Sequence, residues 1–261
     1  METLRKGAKG NSVTIIQKIL NLTADGDFGP KTEEAVKVLQ KAVGLKADGI
    51  VGSATWAVLL GEQEIKYTRE EVEKALGKLG HPYVTNGYGL NIVGIRNSDL
   101  RAVTNHFDDF LTVSYIKDGE WRYQCYNATT DPGLYWIGHP INVDGCAILV
   151  PGQYKNVYKI DKHRGKYKAL CQRNGKVEVF RDGNKDDKYD YDEDTITEGW
   201  FGINIHRSHP YKPTNYVNKY SAGCQVVQDP DDFDEFMDII EGSKQKTFTY
   251  TLIETKDISE S

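Results

Sequence analysis

Hydrophobic residues in the first sixty positions recur at the spacing of an amphipathic helix. Val13, Ile16 and Leu20 lie three and four residues apart, which places them on one face of a helix. Val36 and Leu39 begin a second stripe of the same kind. The pattern predicts a helical N-terminal region in which each helix turns one apolar face inward.

A near-repeat with an offset of 23 residues accompanies these helices. Asp25-Gly-Asp-Phe-Gly-Pro-Lys-Thr32 is matched by Asp48-Gly-Ile-Val-Gly-Ser-Ala-Thr55, with Asp, Gly, Gly and Thr in equivalent positions. Each copy is typical of a tight glycine turn followed by the start of a helix. Because neither copy can bury an apolar stripe alone, we expect a compact three-helix unit of about sixty residues.

A polar stretch without periodicity follows the repeat. Residues 63–68 are predicted to link a domain spanning 1–62 to a second domain spanning 69–261. Thr68, with Glu71 three residues later, has the pattern of a capping box at the start of a helix. The second domain is therefore expected to open with a helix.

Beyond this helix, the hydrophobic period changes to that of a strand. Hydrophobic and polar residues alternate in segments 111–116, 176–180, 200–205 and 247–252, and glycine-containing turns separate these segments. One late helix is predicted with Pro230 at its first position, and the tail after Lys256 is expected to be loose. The predicted fold class is α+β with more than one domain, a small three-helix bundle followed by a mostly-β domain.

Composition and charge narrow the function classes. Hydrophobic residues make up 39% and charged residues 27% of the 261 positions, which is ordinary for a globular protein. No stretch approaches the ~20 apolar residues of a membrane helix, so no stable membrane association is expected. The net charge of −5 argues against a nucleic-acid partner, because such binding needs basic surface. The start of the chain lacks the apolar segment of a secretory signal, so its four cysteines are expected to be reduced.

One cysteine lies in a pattern that favours reactivity. Cys224 follows Ser221-Ala-Gly223, a small-residue turn that exposes a sulfur and leaves backbone N–H groups free for an oxyanion. A thiol needs a base to become a nucleophile, and His206 stands eighteen residues upstream at the end of the predicted strand 200–205. Asn204, Ser208 or a main-chain carbonyl are the candidates to orient this imidazole.

The same residues also have a purely structural interpretation. A cysteine after glycine is often a small packed hydrophobe, and a single histidine is often structural. Cys125 and Cys171 lie in strand-like segments and are interpreted as core residues, whereas Cys146 follows a turn with no histidine at an informative spacing. No His-x-x-x-His pattern is present, so the sequence gives little support to a catalytic zinc.

The repeat region resembles the helical peptidoglycan-binding domain over residues 4–60. The resemblance rests on Leu4-Arg-Lys-Gly7, on the first Asp-Gly-x-Phe-Gly-Pro-x-Thr turn, and on Gly44-Leu-x-x-Asp-Gly-Ile-Val-Gly-x-x-Thr-Trp56. It implies a module that targets the cell wall and carries no chemistry of its own, with bacterial peptidoglycan as its partner. A generic helical spacer is the alternative, and Trp56 is interpreted as a core residue rather than a sugar platform.

The pattern His206 … Ser221-x-Gly223-Cys224 resembles the signature of the L,D-transpeptidase (YkuD-type) catalytic domain. The resemblance implies that Cys224 is the nucleophile and His206 its base, that Ser221 and Gly223 shape the turn, and that the N–H of Cys224 is an oxyanion donor. Two positions depart from the family pattern. Ala222 replaces a histidine, and Val226 replaces an arginine.

Further segments are similar to a divergent branch of phage and bacterial wall proteins. They are Pro151-Gly-Gln-Tyr154, His163-Arg-Gly-Lys-Tyr167 and Gly202-Ile-Asn-Ile-His-Arg207. The resemblance extends the YkuD-like fold over the whole second domain. The candidate substrate-binding residues are His163, Tyr167, Asn204, Arg207 and Ser208.

An acidic segment, residues 181–194, has the spacing of a calcium loop. Asp182, Asn184 and Asp186 fall at positions 1, 3 and 5 of an EF-hand series, with Asp190 at position 9 and Glu193 at position 12. Position 6 is Asp rather than the usual Gly, and strands rather than helices flank the segment. A solvated hairpin tip is the alternative, and apart from possible Ca²⁺ no cofactor is expected to be required.

Together the two resemblances imply an endolysin-like peptidoglycan hydrolase that cleaves stem peptides through a thioester on Cys224. The alternatives are an L,D-transpeptidase that forms cross-links and a non-catalytic wall-binding or virion protein. With no signal peptide, the protein is expected to be made in a host cytoplasm and to reach the wall at phage lysis, or through a secretion machine. The oligomeric state is left open by the sequence.

Overall fold

The computed structural model describes residues 3–42, 46–59, 67–97, 103–186 and 188–259. The chain divides into two compact units, Met1–Ile65 and Lys66–Ser261, and each is described by itself. The first four residues of the predicted linker 63–68 lie outside the described residues. Among the helices that are described, none combines the length and the apolar character needed to cross a membrane.

The N-terminal unit is helical, as the hydrophobic spacing predicts. Its described part contains α1 (Asn11–Ile19), α2 (Pro30–Ala42) and α3 (Ser53–Leu59). Trp56 is only 3% exposed and belongs to the apolar core. The other buried members of that core are Leu4, Val13, Ile16, Phe28, Val36, Val51 and Leu59.

A buried glutamine organises each copy of the repeat. The side-chain amide of Gln17 donates to Asp25 Oδ1 at 2.7 Å and Thr32 Oγ1 at 3.1 Å, and its carbonyl accepts from Gly26 N at 2.9 Å. Gln40, 23 positions later, makes the same three contacts in the second copy at 3.2, 3.0 and 2.9 Å. The sequence repeat is therefore also a repeat of one hydrogen-bond network, which satisfies the polar groups of both turns.

The C-terminal unit opens with α4 (Arg69–Lys78), and its start confirms the predicted capping box. Thr68 Oγ1 accepts from Glu71 N at 3.3 Å, and Glu71 Oε2 accepts from Thr68 N at 2.7 Å. Two of the orphan N–H groups at the helix start are thereby satisfied.

Eight of the described strands of this unit close into a barrel. The order around the barrel is β1, β11, β5, β6, β9, β10, β3, β2; the pairs β1–β11 and β9–β10 are parallel and the others antiparallel. The main apolar core lies inside the barrel and between the barrel and the helix Pro230–Gly242. The barrel strands are β1 (Asn91–Arg96), β2 (Asp109–Lys117), β3 (Glu120–Thr129), β5 (Gly152–His163), β6 (Tyr167–Gln172), β9 (Ile205–Arg207), β10 (Gln225–Val227) and β11 (Phe248–Glu254).

A second sheet and three helices complete the described part of the unit. The sheet is β4 (Cys146–Leu149), β7 (Val177–Asp182) and β8 (Thr197–Gly199), in the order β4, β7, β8. The helices are α5 (Leu134–Gly138), α6 (Pro230–Gly242) and α7 (Thr255–Ser259), with a 3₁₀ turn at Glu193–Thr195. Pro230 opens α6 behind an Asp229 N-cap, as predicted. The α+β fold class is confirmed.

Two sequence expectations are wrong in the C-terminal unit. Hydrophobic and polar residues alternate over 200–204 as in a strand, but the strand here comprises only Ile205–Arg207. The side-chain oxygen of Gln172 accepts from the N–H groups of Phe201, Gly202 and Ile203 at 3.1, 2.9 and 3.2 Å, so an amide replaces the strand ladder there. The tail after Lys256 is helical instead of loose, because Ile258 is buried in the cluster under α4.

Candidate active site

The turn that carries Cys224 is shaped by the residues before it. Ser221 is fully buried, and its hydroxyl donates to Cys224 O at 2.7 Å and accepts from Gly223 N at 3.1 Å. Gly223 has φ of 122°, and a Cβ there would lie 2.2 Å from Ala147 O. Only glycine fits this position, so the sequence dictates a tight turn that ends at the thiol.

The thiol of Cys224 lies between backbone groups at the end of this turn. Asn204 N donates to the sulfur at 3.5 Å, and the thiol donates to Gly202 O at 3.4 Å. Cys224 keeps part of its surface exposed, although dense surroundings bury the sulfur. Burial raises the pKa of this thiol, against the lowering effect of the Asn204 N–H and of Arg164. The resting residue is therefore a neutral thiol.

The N–H of Cys224 has no hydrogen-bond acceptor among the described residues. The next amide, Gln225 N, by contrast donates to Asn204 O at 2.9 Å. A free N–H beside a nucleophile is the geometry that an oxyanion donor requires. The predicted role of this amide as an oxyanion donor stays a prediction.

His206 lies on the strand next to Cys224. In the parallel pair β9–β10, His206 is in register with Val226 and Ile205 with Gln225. Cys224 lies directly before β10 and two residues before Val226, so it is offset from His206 by about two residues along the neighbouring strand. The register thus places His206 on the strand that neighbours the Cys224 turn, and the pairing of the two as nucleophile and base stays a prediction.

A main-chain carbonyl orients the imidazole of His206. Its Nδ1 lies 2.8 Å from Arg207 O, which fixes the proton on Nδ1 and leaves Nε2 as the basic nitrogen. Burial and the neighbouring His163 lower the pKa of His206 to about 3. His206 is thus a neutral imidazole at physiological pH, with a geometry suited to accepting a proton.

His163 packs directly on this imidazole. The two rings are stacked with centroids 4.1 Å apart and planes 27° apart. His163 Nδ1 lies 3.2 Å from Asn204 Nδ2, so the amide donates to it. Burial, followed by the charges of Arg164 and Arg173, lowers the pKa of His163 to about 4. The site therefore contains a second neutral imidazole, supplied by the end of β5.

The other predicted substrate-binding residues surround His206. Tyr167 Oη is 3.4 Å from both His206 Nδ1 and Arg207 O. Arg207 stacks on the Tyr167 ring at 4.4 Å and pairs with Asp234 at 3.7 Å. Ser208 Oγ donates to Gln228 O at 2.6 Å. Their contacts are with protein groups, and their role toward a substrate stays a prediction.

Sequence reasoning missed three contributors to the site. Gln172 holds the 201–203 backbone, Gly202 O accepts from the thiol, and the Tyr158 hydroxyl is buried without a hydrogen-bond partner in the described structure. Burial raises the pKa of the Tyr158 hydroxyl well above its usual range, and the neighbouring Tyr250 and Tyr154 raise it further. The three are distant in sequence from Cys224, so no local spacing could have identified them.

The acidic segment is only partly a surface loop. Tyr189 Oη donates to Pro132 O at 2.9 Å and Tyr191 Oη to Asp131 Oδ2 at 3.3 Å, which anchors the middle of the segment. Residues 183–186, 188 and 192–194 are exposed in the connection between the antiparallel strands β7 and β8, as the alternative of a solvated hairpin tip expects. The buried Asp182 accepts from Asp190 N at 3.3 Å, and burial raises its pKa to about 6. Asn184 Nδ2 donates to Asp190 Oδ2 at 2.6 Å.

These acidic side chains do not converge as metal ligands. Asp186 Oδ1 accepts from Lys188 N at 2.7 Å, and Glu193 begins the 3₁₀ turn. Within the described ranges, no group of three or more His, Cys, Asp or Glu residues is arranged to hold a metal ion. The calcium assignment stays a prediction without support from this arrangement.

Comparison with solved structures found several similar chains, among them a phage endolysin. This chain is 34% identical to the Burkholderia AP3 phage endolysin over 30% of this chain and 33% of that one, with a TM-score of 0.23. The chain thus spans a third of that endolysin's length.

Two further similarities extend over nearly the whole chain. A fused Zn-dependent amidase/peptidase/peptidoglycan-binding domain-containing protein from Clostridium acetobutylicum is 16% identical, covering 96% of this chain and 99% of that one, with a TM-score of 0.26. An L,D-transpeptidase from Xylanimonas cellulosilytica is 19% identical, covering 97% and 98%, with a TM-score of 0.28.

Comparison with curated proteins gave no match. Residues 9–59 match the model of the family described as "Putative peptidoglycan binding domain". The match covers all three helices and both copies of the repeat. The N-terminal unit thus contains a domain of the peptidoglycan-binding family.

Proposed function

We propose that the chain is a peptidoglycan hydrolase that cleaves stem peptides with Cys224 as nucleophile and His206 as base. The observation that carries this proposal is the register of β9 and β10. In support of the proposal, His206, whose Nδ1 is fixed by Arg207 O, is in register with Val226, two residues after the partly exposed Cys224. The free N–H of Cys224 supplies an oxyanion donor to the same place.

The reaction follows from these groups. Nε2 of His206 takes the thiol proton as the sulfur attacks the peptide carbonyl, and the oxygen that becomes negative accepts from Cys224 N–H. The imidazolium then protonates the leaving amine as the C–N bond breaks, which leaves a thioester. Water attacks the thioester with its proton going to His206, and the thiol is reformed with the release of the acid.

The resting pair is a neutral thiol and a neutral imidazole. Burial raises the pKa of Cys224 and lowers that of His206, so ionising the pair costs free energy in the empty site. We infer that proton transfer accompanies attack on bound substrate and does not precede it. This distinguishes the site from one that stores a thiolate beside an imidazolium.

The N-terminal unit supports the choice of substrate. A family of peptidoglycan-binding domains matches residues 9–59, and a domain that holds the chain on the wall raises the effective substrate concentration for the tethered catalytic unit. Peptidoglycan is accordingly the proposed partner of both units.

Product masses test the proposal. Purified full-length chain is incubated with soluble muropeptides, and the products are read by mass spectrometry. Hydrolysis gives fragments whose masses sum to the substrate plus one water molecule. Products that contain joined stem peptides would show that the chain forms cross-links instead of hydrolysing. Muropeptides that stay unchanged at any enzyme concentration would show a binding protein without this activity.

A further inference from the structure

The hairpin between β5 and β6 brings a positive charge to the candidate active site. His163 and Tyr167 are paired across the hairpin, and both contact His206. Between them lie Arg164, Gly165 and Lys166, with Lys166 N donating to His163 O at 3.0 Å. The tip of the hairpin is therefore fixed next to the site by the two residues that frame it.

The backbone at the tip is unfavourable for an arginine. Arg164 has φ of 50° and Gly165 has φ of 72°, a left-handed pair in which Gly, Asn or Asp is the usual first residue. Placing a long side chain there costs on the order of 1 kcal/mol. A strained residue beside reactive groups is consistent with a functional role for its side chain.

The charge of Arg164 affects four titratable groups of the site. Burial determines the direction of the pKa shift of Cys224, His206, His163 and Tyr167, and Arg164 lowers the pKa of each of them. The hairpin gives the geometric reason, because Arg164 directly follows His163, whose ring stacks on His206, and precedes Tyr167, whose hydroxyl also contacts His206.

Arg164 also has no anionic partner of its own. In the described part of the chain neither Arg164 nor Lys166 takes part in an ion pair, although both are exposed. Arg207, the other arginine near Tyr167, is already paired with Asp234 and stacked on the ring. The site thus combines neutral reacting groups with one unpaired guanidinium.

We propose that Arg164 binds a carboxylate of the acyl donor beside the scissile carbonyl, which makes acidic peptides the substrate class of the site. The inference rests on the proposed function and names the substrate group that the site recognises. A guanidinium binds carboxylate through paired N–H donors, so it positions the donor as well as attracting it.

Two alkylating reagents test this without any turnover. Iodoacetate carries a carboxylate and iodoacetamide is its neutral analogue, and both modify a thiolate by displacing iodide. The rates at Cys224 are measured in the full-length chain at about pH 9, where more thiolate forms, with peptide mapping to exclude the other cysteines. The ratio of the two rates cancels any change in thiol pKa or exposure.

We expect the ratio of the iodoacetate rate to the iodoacetamide rate to fall by about threefold to tenfold in Arg164→Gln. A fall of this size corresponds to the loss of one unit charge a few ångströms from the sulfur. Arg164→Lys keeps most of the ratio because it keeps the charge. Lys166→Gln, a matched loss of charge on the same hairpin tip, leaves the ratio within about twofold of the parent.

An unchanged ratio in Arg164→Gln would overturn the inference, as would an equal fall in Lys166→Gln. The proposed function is judged separately by the muropeptide products. If the parent cleaves muropeptides but the rate ratio is unchanged in Arg164→Gln, only the carboxylate site is disproved. If the ratio falls but the parent does not cleave muropeptides, the carboxylate site is supported and the hydrolase activity is disproved.

Discussion

In the N-terminal unit, Gln17 and Gln40 use their donors and their acceptor in hydrogen bonds to protein groups. In the candidate active site, neither the N–H of Cys224 nor the Nε2 of the His206 imidazole makes a hydrogen bond to any described residue. Both regions bury polar groups. The N-terminal unit gives these glutamine side chains hydrogen-bond partners within the protein, whereas the candidate active site leaves some polar groups without one among the described residues. Saturated groups fix a structure, whereas unused ones are available to a substrate.

Replacing His206 by Gln removes the basic nitrogen while keeping a polar side chain of similar reach. We expect kcat/KM for muropeptides to fall by about 100- to 10,000-fold, the usual contribution of a general base. The far-ultraviolet spectrum and unfolding midpoint should change little by comparison. His209→Gln, three residues downstream and outside β9, is the control, and an equal loss in both variants would contradict a specific role for His206.

Gly223→Ala tests whether the turn is set by backbone geometry. The added Cβ would meet Ala147 O at 2.2 Å at a φ of 122°, so the turn must shift. We expect kcat/KM to fall by about 100-fold, because displacements near 1 Å at reacting atoms have that effect. Gly77→Ala is the control.

Gly77 lies inside α4, and a Cβ there contacts nothing within 4 Å. This substitution should leave activity unchanged and stabilise the chain by up to about 1 kcal/mol. Equal activity of the two glycine variants would show that the tight turn is unnecessary.

Gln17→Met and Gln40→Met test whether the hydrogen-bonded glutamines stabilise the N-terminal unit. Each leaves a turn N–H and a buried threonine without their amide partner, so we expect the N-terminal unit to lose about 2 kcal/mol of unfolding free energy in each case. Binding to insoluble wall should weaken, while cleavage of soluble muropeptides should persist.

Lys31→Met, an exposed change in α2, is the control for the glutamine variants, and urea unfolding with a wall-pelleting assay supplies both measurements. Loss of soluble-substrate cleavage in Gln17→Met would contradict the separation of the two roles.

His163→Ala gives the smallest expected effect, a shift in pH dependence. His206 must be neutral to act as a base, so activity falls as pH drops through its pKa, which burial and His163 lower to about 3. Removing His163 admits water and removes a neighbouring imidazole, so this pKa rises and the acid limb moves to higher pH.

The pH profile of kcat/KM in His163→Ala and in the exposed-site control His139→Ala measures this shift. An acid limb that stays in place in His163→Ala would contradict the coupling of the two imidazoles.

Sequence periodicity predicted the parts of the fold that depend on neighbours along the chain. The helices around Val13 and Val36, the capping box at Thr68 and the Pro230 helix are confirmed because their signals are local. The alternation in segment 200–204 is also a local signal, but the strand it predicted is absent there. Gln172, about thirty residues earlier, accepts hydrogen bonds from the backbone of this segment instead. Spacing cannot reveal such a distant partner.

The candidate site shows the same limit. Cys224, His206 and the Ser221–Gly223 turn were identifiable because small residues and a resemblance mark them. The choice of Arg207 O as the partner of His206 depends on backbone geometry, and a carbonyl has no signature in a sequence. The stacking of His163 depends on the order of strands in the barrel.

The central claim is that Cys224 performs the covalent step, and a pair of cysteine variants tests it most directly. Cys224→Ala and Cys125→Ala remove the two cysteines that are partly exposed. Clearing of purified sacculi is followed by turbidity for both variants and the parent at equal protein concentration. The account predicts that Cys224→Ala loses at least about 1,000-fold in rate while remaining folded and wall-bound, and that Cys125→Ala clears like the parent. Equal clearing by Cys224→Ala and the parent would contradict it.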